Sequence, residues 1–258
     1  MPGSVTIVGT GICVATQLTP EARAAIDRAD EFLHVAADPL ASTWLDGLHT
    51  NARSLTPLYQ AGGPRAGIYS RMADEIVAPA RAGRRVCAAF YGHPGVFATP
   101  AHTAVRRARA AGVAARMLPA ISAQDCLVAD LGIDPAEHGW LSYDATDFLL
   151  HRRPIDAACA LALWQIGVVG ETGAVADPRS RHLDLVAERL AEVHGDEHEV
   201  VVYEASPYPL AEPIIERVRL ADLPDAPVTP LATLYVPPSA RPSVDAVTAE
   251  RLGISPSS

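Results

Sequence analysis

Phe90-Tyr91-Gly92-His93-Pro94-Gly95-Val96-Phe97 follows the apolar run Arg85-Val86-Cys87-Ala88-Ala89, which is typical of a buried strand. The next pair, Thr99-Pro100, predicts a helix start, with a capping hydroxyl and then proline at the first helical position. Glycines and a proline therefore stand at the carboxyl end of a strand, where open α/β sheets bind their ligands. Tyr91 and Phe97 flank the glycines and are placed to sandwich an apolar or cationic group. Spacing alone leaves an ordinary strand-to-helix turn open as the alternative.

The remainder of the chain alternates strands with helices, which predicts an α/β fold. In the first half we predict strands at residues 5–8, 32–35, 85–89 and 115–118, and helices from residue 20, at 65–82 and at 100–111. Pro79 is expected to kink the long helix or end it early. In the second half we predict helices at 123–131 and 182–194, and strands at 140–143, 161–165, 200–204, 214–218 and 232–236. The last three strands should form a partly antiparallel sheet, and the second helix a clean apolar face of Leu183, Val186, Leu190 and Val193.

This pattern predicts two α/β subdomains, residues 1–119 and 120–238, followed by an arm at 239–258. The arm is rich in proline, serine and alanine and contains one short predicted helix near residues 244–252. Because the arm has too little apolar content to fold alone, we expect it to lie on another surface.

The composition is that of a soluble enzyme. A length of 258 residues with 49% apolar content suits one large domain or two small ones. A net charge of −9 argues against a nucleic-acid-binding surface. No apolar run approaches the roughly 18 residues that span a bilayer, and the amino terminus shows no signal-peptide pattern. The four scattered cysteines indicate free thiols in a reducing compartment, so we expect a cytoplasmic protein.

Two further motifs point to weaker alternatives. Gly9-Thr10-Gly11 after the first strand suggests a dinucleotide fold, but Val14 occupies the place of the third glycine, so a nicotinamide enzyme is only the runner-up. His194 and His198 are four residues apart and imitate a metal pair. The glycine and polar residues between them favour solvated histidines, so no metal site is predicted.

The glycine-proline segment resembles the corresponding loop of the tetrapyrrole-methylase-type (class III) S-adenosylmethionine methyltransferases. Most of that superfamily carries Gly-Asp-Pro where this chain has Gly92-His93-Pro94, and the histidine form resembles a narrower branch, the borosin-type peptide backbone α-N-methyltransferases. Further segments match in the same order over nearly the whole chain: Val8-Gly9-Thr10-Gly11-Ile12, Arg116-Met117-Leu118-Pro119-Ala120-Ile121-Ser122-Ala123, Ala129-Asp130-Leu131-Gly132, Trp164-Gln165-Ile166-Gly167 and Thr233-Leu234-Tyr235-Val236-Pro237-Pro238. The resemblance implies a tetrapyrrole-methylase-like fold of two α/β subdomains with the cofactor cleft between them.

The resemblance also implies a catalytic set of Tyr59, Arg65 and Tyr69. Arg65 and Tyr69 are four residues apart and share a helix face, while Tyr59 lies just upstream. A tyrosine that some relatives carry three residues before Tyr59 is Thr56 here, which leaves a four-residue set open. Without the resemblance, a surface arginine and two half-buried tyrosines would be the expected interpretation. A phenolate can remove an amide proton if a nearby cation lowers its pKa, and an arginine can stabilise the developing oxyanion.

The implied cofactor is S-adenosylmethionine, which leaves as S-adenosylhomocysteine. Apolar and aromatic walls with a few polar contacts suit its adenine and methionine parts. The implied cofactor contacts are Tyr91, His93, Val96, Phe97, Ser122, Ala123, Gln165, Tyr203, Ala205 and Thr233. Ser122 is equally well placed to cap a helix.

Three functions stay open on the sequence: a backbone N-methyltransferase acting on a separate precursor peptide, a class III methyltransferase for a small molecule such as a corrin precursor, and a catalytically silent cofactor-binding scaffold. His93, together with Tyr59, Arg65 and Tyr69, favours the first over the second. Fused relatives end in an apolar core peptide and methylate themselves, whereas this sequence stops about twenty residues after Pro238. We therefore expect a split enzyme, a homodimer that pairs with its precursor in a two-plus-two assembly, and no nucleic-acid or membrane partner.

Overall fold

The computed structural model describes residues 3–60, 63–171, 173 and 182–254. Residue contacts group the chain into two compact units. The first unit comprises Met1–Ile133, Glu171–Asp177 and Glu204–Ile214, and the second comprises Asp134–Gly170, Pro178–Tyr203 and Ile215–Ser258. The helix predicted at residues 123–131 thus groups with the first unit, although the sequence placed it after a boundary at 119. The division into domains at 1–119, 120–238 and 239–258 stays a prediction.

A five-stranded sheet forms the centre of the first unit. Its strands are β1 (Ser4–Gly9), β2 (Glu31–Val35), β3 (Ala52–Ser54), β4 (Arg85–Phe90) and β5 (Ala114–Met117). Its helices are α1 (Pro20–Asp27), α2 (Pro39–Asp46), α3 (Pro57–Gln60), α4 (Arg65–Arg81), α5 (Thr99–Ala110) and α6 (Ala123–Leu131). The strand order is β3-β2-β4-β1-β5, and all four pairings are parallel. The predicted parallel α/β unit is confirmed, and α2, β3 and α3 are additions that the sequence analysis did not predict.

Helices cover both faces of this sheet. On one face α1 buries Ala22 and Ile26 against Val8, while α4 and α5 pack against the other face around Met72 and Ala104. The chain leaves β1 toward β2 and leaves β4 toward β5, so two neighbouring strands send their connections to opposite faces. Such a switch point opens a crevice at the carboxyl ends of the two strands, which is where open α/β sheets bind ligands.

The second unit contains a second five-stranded sheet. Its strands are β6 (Trp140–Asp144), β7 (Ala160–Trp164), β8 (Glu199–Glu204), β9 (Ile214–Arg219) and β10 (Thr233–Val236), in the order β6-β7-β10-β8-β9. Its helices are α7 (Pro135–His138), α8 (Ala145–Leu150), α9 (Leu183–His194) and α10 (Ala246–Leu252), with 3-10 turns at Ile166–Val168 and Leu220–Asp225. β6 and β7 are parallel, whereas β10 runs antiparallel to both β7 and β8. The predicted partly antiparallel sheet is therefore confirmed.

The structure corrects three local predictions, one of them only in part. Thr99 does not cap α5: the capping position is Ala98, no side chain bonds to the helix there, and Thr99 is already helical. Pro79 does not end α4, which runs two residues further to Arg81, so of the two predicted alternatives only the kink stays a prediction. Val193 on α9 is 40% exposed, because it lies in the last turn, beyond the core that buries Leu190.

The residues after β10 are tied to the second unit at their start. The N–H groups of Ser239 and Ala240 donate to the Ala157 carbonyl at 2.9 and 3.0 Å. Further on, α10 buries Ala249 but leaves Val247 and Leu252 exposed. The predicted arm is thus anchored at its base and partly apolar on its surface. None of the helices described above combines the length and apolar character that crossing a bilayer requires.

Candidate functional site

Paired glycine loops join the carboxyl ends of β1 and β4. The Gly92 N–H donates to the Gly11 carbonyl at 2.9 Å, and the Gly11 N–H donates to the Gly92 carbonyl at 3.3 Å. Gly9 has no room for a side chain, because an added Cβ would lie 2.2 Å from the Gly92 carbonyl oxygen and 2.5 Å from Ala120 Cβ. The loops after β1, β4 and β5 therefore form one closely packed floor at the switch point.

Hydrogen bonds fix the shape of the loop after β4. Gly92 has φ +69°, which glycine adopts without a steric penalty. The Gly95 N–H donates to His93 Nδ1 at 2.9 Å, so the ring proton of His93 lies on Nε2. His102 Nε2 lies 2.9 Å from the Gly95 carbonyl and holds the other side of the turn. His93 thus orders its own loop and keeps Nε2 for a further partner.

The end of this loop presents apolar surface to solvent. Val96 is 40% exposed and Phe97 is 46% exposed. Phe97 has φ +50°, a left-handed conformation that is uncommon for a bulky side chain. Backbone strain of this kind clusters at ligand-binding sites, where the surrounding structure maintains it. Phe97 therefore combines a strained backbone with a side chain that is partly exposed to solvent at the end of this loop.

Tyr91 lies in a buried and negatively charged environment. Burial raises the pKa of Tyr91 above its usual range, and the nearby Glu204 carboxylate raises it further. Asp38 acts in the same direction. Tyr91 is therefore a neutral phenol at pH 7, and the two carboxylates make this part of the first unit favourable for a cation.

Ser122 and Ala123 begin α6, beyond the end of β5. Asp125 N–H donates to Ser122 Oγ at 3.3 Å, while the Ser122 hydroxyl and N–H donate to the Asp125 carboxylate at 2.6 and 2.7 Å. This reciprocal capping box fixes the start of α6. Of the two roles that the sequence left open for Ser122, the structure shows the cap, and a ligand contact stays a prediction.

Tyr59, Arg65 and Tyr69 come together through α3 and α4. The rings of Tyr59 and Tyr69 meet edge to face, with centroids 6.3 Å apart and planes at 88°. The two side chains are close enough for Tyr69 to raise the pKa of the Tyr59 phenol. Arg65 lies one helical turn before Tyr69, and its positive charge is close enough to Tyr59 to lower the pKa of that phenol. In the ranges that the structure describes, no ion pair engages Arg65.

The ionisation of Tyr59 differs from the phenolate that the sequence suggested. Burial raises the pKa of Tyr59 above its usual range, and Tyr69 raises it further by charge and by hydrogen bonding. Arg65 lowers it, but by less than burial raises it. Tyr59 is therefore a neutral phenol at pH 7. Near it, the Thr56 Oγ1 is buried and has no hydrogen-bond partner among the described residues.

Gln165, Tyr203 and Thr233 lie together at one end of the second sheet. Thr233 stands opposite Tyr203 in the β10–β8 register. Gln165 follows β7 at φ +62°, and the next N–H, of Ile166, donates to the Ala232 carbonyl at 3.2 Å. Tyr203 and Thr233 are almost fully buried. The other predicted cofactor contacts, including buried Ala205, belong to the first unit.

Sequence reasoning missed several polar groups near the glycine loops. Gln17 Oε1 accepts the N–H groups of Ile12 and Cys13 at 2.7 and 2.9 Å and so closes the loop after β1. Glu204 lies between two residues that the resemblance did select, so its sequence position was a usable signal. Asp38 caps α2 and is close enough to Tyr208 to raise the pKa of its phenol, and nothing in its local sequence pointed to the site.

The two histidines suspected of imitating a metal pair are stacked and partly buried instead of solvated. The rings of His194 and His198 lie 4.8 Å apart at 18°. His194 Nδ1 lies 2.7 Å from Ser239 Oγ, and His198 Nε2 lies 2.9 Å from the Pro237 carbonyl. Within the described ranges, no group of three or more His, Cys, Asp and Glu side chains is arranged to hold a metal ion.

The fold is similar to a solved methyltransferase structure. The uroporphyrin-III-C-methyltransferase from Thermus thermophilus superposes with a TM-score of 0.65 over 93% of this chain and 94% of that chain, at 23% sequence identity. At this identity the likeness shows the fold.

Curated relatives are closer in sequence. The chain is 39% identical over 245 residues to a methyltransferase/ribosomally synthesized type I borosin cyclic peptide precursor from Coprinopsis marcescibilis, covering 92% of this chain and 63% of the relative. It is 36% identical over 263 residues to the methyltransferase/ribosomally synthesized cyclic peptide omphalotin A precursor from Omphalotus olearius, covering 98% of this chain and 62% of the relative. The chain thus spans about three fifths of the length of these relatives. The family described as Tetrapyrrole (Corrin/Porphyrin) Methylases matches residues 4–224, and the chain belongs to this family.

Proposed function

We propose that this protein transfers a methyl group from S-adenosylmethionine to backbone amide nitrogens of a ribosomal precursor peptide supplied as a separate chain. The observation that carries the proposal is the cluster of Tyr59, Tyr69 and Arg65 in the first unit. The names of the curated relatives, which join a methyltransferase to a cyclic peptide precursor, support the same substrate class.

The amide nitrogen sets the chemical problem. Its lone pair is delocalised into the carbonyl, so the nitrogen is a poor nucleophile until its proton is removed or charge moves onto the carbonyl oxygen. A hydrogen-bond donor and a positive charge at that oxygen stabilise the imidate form. Arg65, with no counter-ion in the described ranges, and the phenol of Tyr59 are groups of this kind. We assign Arg65 to the developing oxyanion.

The neighbouring tyrosines, whose rings meet edge to face, offer the amide proton a path. A chain of two hydroxyls can accept a proton at one oxygen while releasing another, provided that the intermediate charge is stabilised. Arg65 lowers the pKa of Tyr59 and so favours its charged form, although burial outweighs that effect. A further positive charge beside the pair would shift the balance toward the phenolate. We therefore propose that Tyr59 and Tyr69 act as one unit.

The first unit fits the proposed cofactor chemically. S-adenosylmethionine carries a positively charged sulfonium and supplies the electrophilic methyl group. Glu204 and Asp38 give the region around Tyr91 a negative field, which suits such a cation. Phe97 and Val96 offer exposed apolar surface for an adenine, and His93 Nε2 is available as a donor. We propose these residues, with Ser122, Ala123, Gln165, Tyr203, Ala205 and Thr233, as cofactor contacts.

Tyr69→Phe is the decisive variant for the chemistry. It keeps the ring that packs on Tyr59 but removes one hydroxyl of the pair. We expect turnover on a co-expressed precursor to fall about 100-fold or more, as for loss of an acid–base group, while cofactor affinity measured by calorimetry stays near wild type. Tyr143→Phe, in which the ring still stacks on Phe148 in the second unit, is the matched control and should keep full activity. Full activity of Tyr69→Phe would remove Tyr69 from the proposal.

Intact mass tests whether the substrate is a separate chain. The protein expressed alone should keep its own mass, and a co-expressed precursor should gain multiples of one methyl group. Methyl groups that map to this chain itself would refute action in trans. A precursor that stays unmodified while the protein binds S-adenosylmethionine would refute peptide methylation and leave cofactor binding standing.

The proposed assembly is a homodimer. Val247 and Leu252 on α10, with Val244 and Ile254 beside it, expose large apolar side chains at the end of the described chain. Covering them on a second subunit would remove that surface from water. Light scattering at micromolar concentration should give twice the mass of one 27.2 kDa chain, and a monomer mass would contradict the dimer.

A further inference from the structure

The first sheet has a concavity at its amino-terminal edge, the edge opposite the glycine loops. Its volume is about 400 Å³. It is lined by the first residues of β1, β4 and β5 and by residues at the end of α1. Among its eleven lining residues are three arginines, Arg28, Arg85 and Arg116, and no carboxylate. The proposed methyl transfer gives none of these residues a role.

The concavity exists because α1 is shorter than the strands it covers. Eight helical residues span about 12 Å, whereas the six residues of β1 span about 20 Å. The helix therefore leaves the amino end of its face of the sheet open. Parallel register places Ser4 beside Arg85, and Thr6 beside Arg116, on that open face.

The arginines of the concavity are unequally neutralised. Arg85 is fully engaged by Asp30, whose carboxylate accepts both its side-chain Nε at 3.2 Å and its backbone N–H at 2.7 Å. Arg116 reaches Glu21 only at 4.0 Å. Arg28 is exposed at the end of α1 and forms no ion pair with any described residue. Positive charge is thus left over at this edge, in a chain whose net charge is −9.

Hydroxyl and apolar groups complete the lining. The side chains of Ser4 and Thr6 form no hydrogen bond with another residue in the described ranges, so both hydroxyls are available to a ligand. The remaining surface is provided by small apolar side chains: Ala25, Ala29, Ala114 and Ala115. This combination suits a small molecule with an anionic head and a compact apolar body.

We propose that this concavity is a binding site for a small anionic ligand, whose phosphate or carboxylate group is held between Arg28 and Arg116. The planar guanidinium fork matches both groups through paired charge-assisted hydrogen bonds. The hydroxyls of Ser4 and Thr6 donate to the remaining oxygens. The site is independent of the proposed methyl transfer, because its residues lie at the other edge of the sheet and its occupancy is measured without a methyl acceptor.

Calorimetric titration of the full chain tests the site. The probes are inorganic phosphate and succinate, in a low-chloride buffer, with sodium chloride at matched ionic strength as the blank. We expect saturable binding of at least one probe to wild type. Arg28→Glu and Arg116→Ala should each bind that probe more weakly, by about tenfold or more, since each removes a charge-assisted contact. Arg23→Ala is the matched control: Arg23 lies on α1, pairs with Asp27 at 2.8 Å and is outside the lining.

Each outcome decides the proposal. Preference for phosphate or for succinate identifies the anionic group and supports the site. No saturable heat with either probe, or equal binding by wild type and Arg28→Glu, would overturn it. Arg28 is exposed, so its substitution leaves the fold intact and keeps the test valid even if Arg116→Ala does not fold. Binding should also weaken as sodium chloride is raised, because exposed charges are screened.

Discussion

Gly9→Ala should destabilise the protein strongly, because the methyl group would enter the contact between three loops. Its Cβ would lie 2.2 Å from the Gly92 carbonyl oxygen, 2.5 Å from Ala120 Cβ and 2.7 Å from Pro94 Cδ. To relieve the first contact alone, the Gly92 carbonyl must move by about 1 Å, which disrupts its 3.3 Å bond from Gly11. Overpacking costs about 1–3 kcal/mol, and one or two lost hydrogen bonds add about 0.5–1.5 kcal/mol each. We expect the free energy of unfolding to fall by about 1.5–6 kcal/mol.

Urea unfolding followed by circular dichroism measures this change. Gly67→Ala is the matched control, since an added Cβ at Gly67 meets nothing within 4 Å and the residue is inside α4. Alanine is the better helix former, so this variant should gain about 0.5–1 kcal/mol. The same exchange therefore changes stability in opposite directions at the two positions. A Gly9→Ala variant within about 0.5 kcal/mol of wild type would refute the packing argument.

Two other substitutions test arginine contacts that link neighbouring elements. The Arg85 guanidinium holds the pKa of Asp30 at about 2, so this carboxylate stabilises the fold above its unfolded pKa of about 4 and loses that contribution as the pH falls toward 2. Asp30→Asn should therefore be less stable than wild type at pH 6, and the difference in urea midpoint should shrink between pH 4 and pH 2; a constant difference would contradict the linkage. Arg107 donates to the Ser70 carbonyl and hydroxyl, both at 2.8 Å, and so ties α5 to the helix that carries Tyr69. Arg107→Ala should cost about 1 kcal/mol, since the guanidinium is partly exposed, and should lower methyl transfer more than cofactor affinity; unchanged turnover would show that α4 is positioned without it.

Elements with a strong local signal were predictable from the sequence. The helix predicted at residues 123–131 has those bounds in the structure, because Ser122 and Asp125 form a capping box at its start and Gly132 adopts φ +64° at its end. The buried strands were also found, since continuous apolar runs are typical of parallel sheets covered on both faces. By contrast, α5 begins without a side-chain cap, so Thr99 was assigned a role that the structure gives to no side chain.

The candidate site was only partly predictable, for a physical reason. Spacing alone places Arg65 and Tyr69 on one face of α4, but the contact with Tyr59 requires the turn of α3, which no sequence period indicated. The direction in which the pKa of Tyr59 shifts could not be predicted from the sequence either. A neighbouring arginine suggests a lower pKa, whereas burial depends on the packed structure and here has the larger effect.

The ionisation state of Tyr59 connects the fold to the proposed chemistry. A buried phenol with a raised pKa, packed against a second phenol, stays neutral near pH 7 and does not act as a permanent base. Arg65 supplies a positive charge that is insufficient by itself to ionise the pair. Amide deprotonation would then depend on the added positive charge of a bound sulfonium, because a cation nearby favours the phenolate. We therefore propose that removal of the amide proton is coupled to binding of the methyl donor.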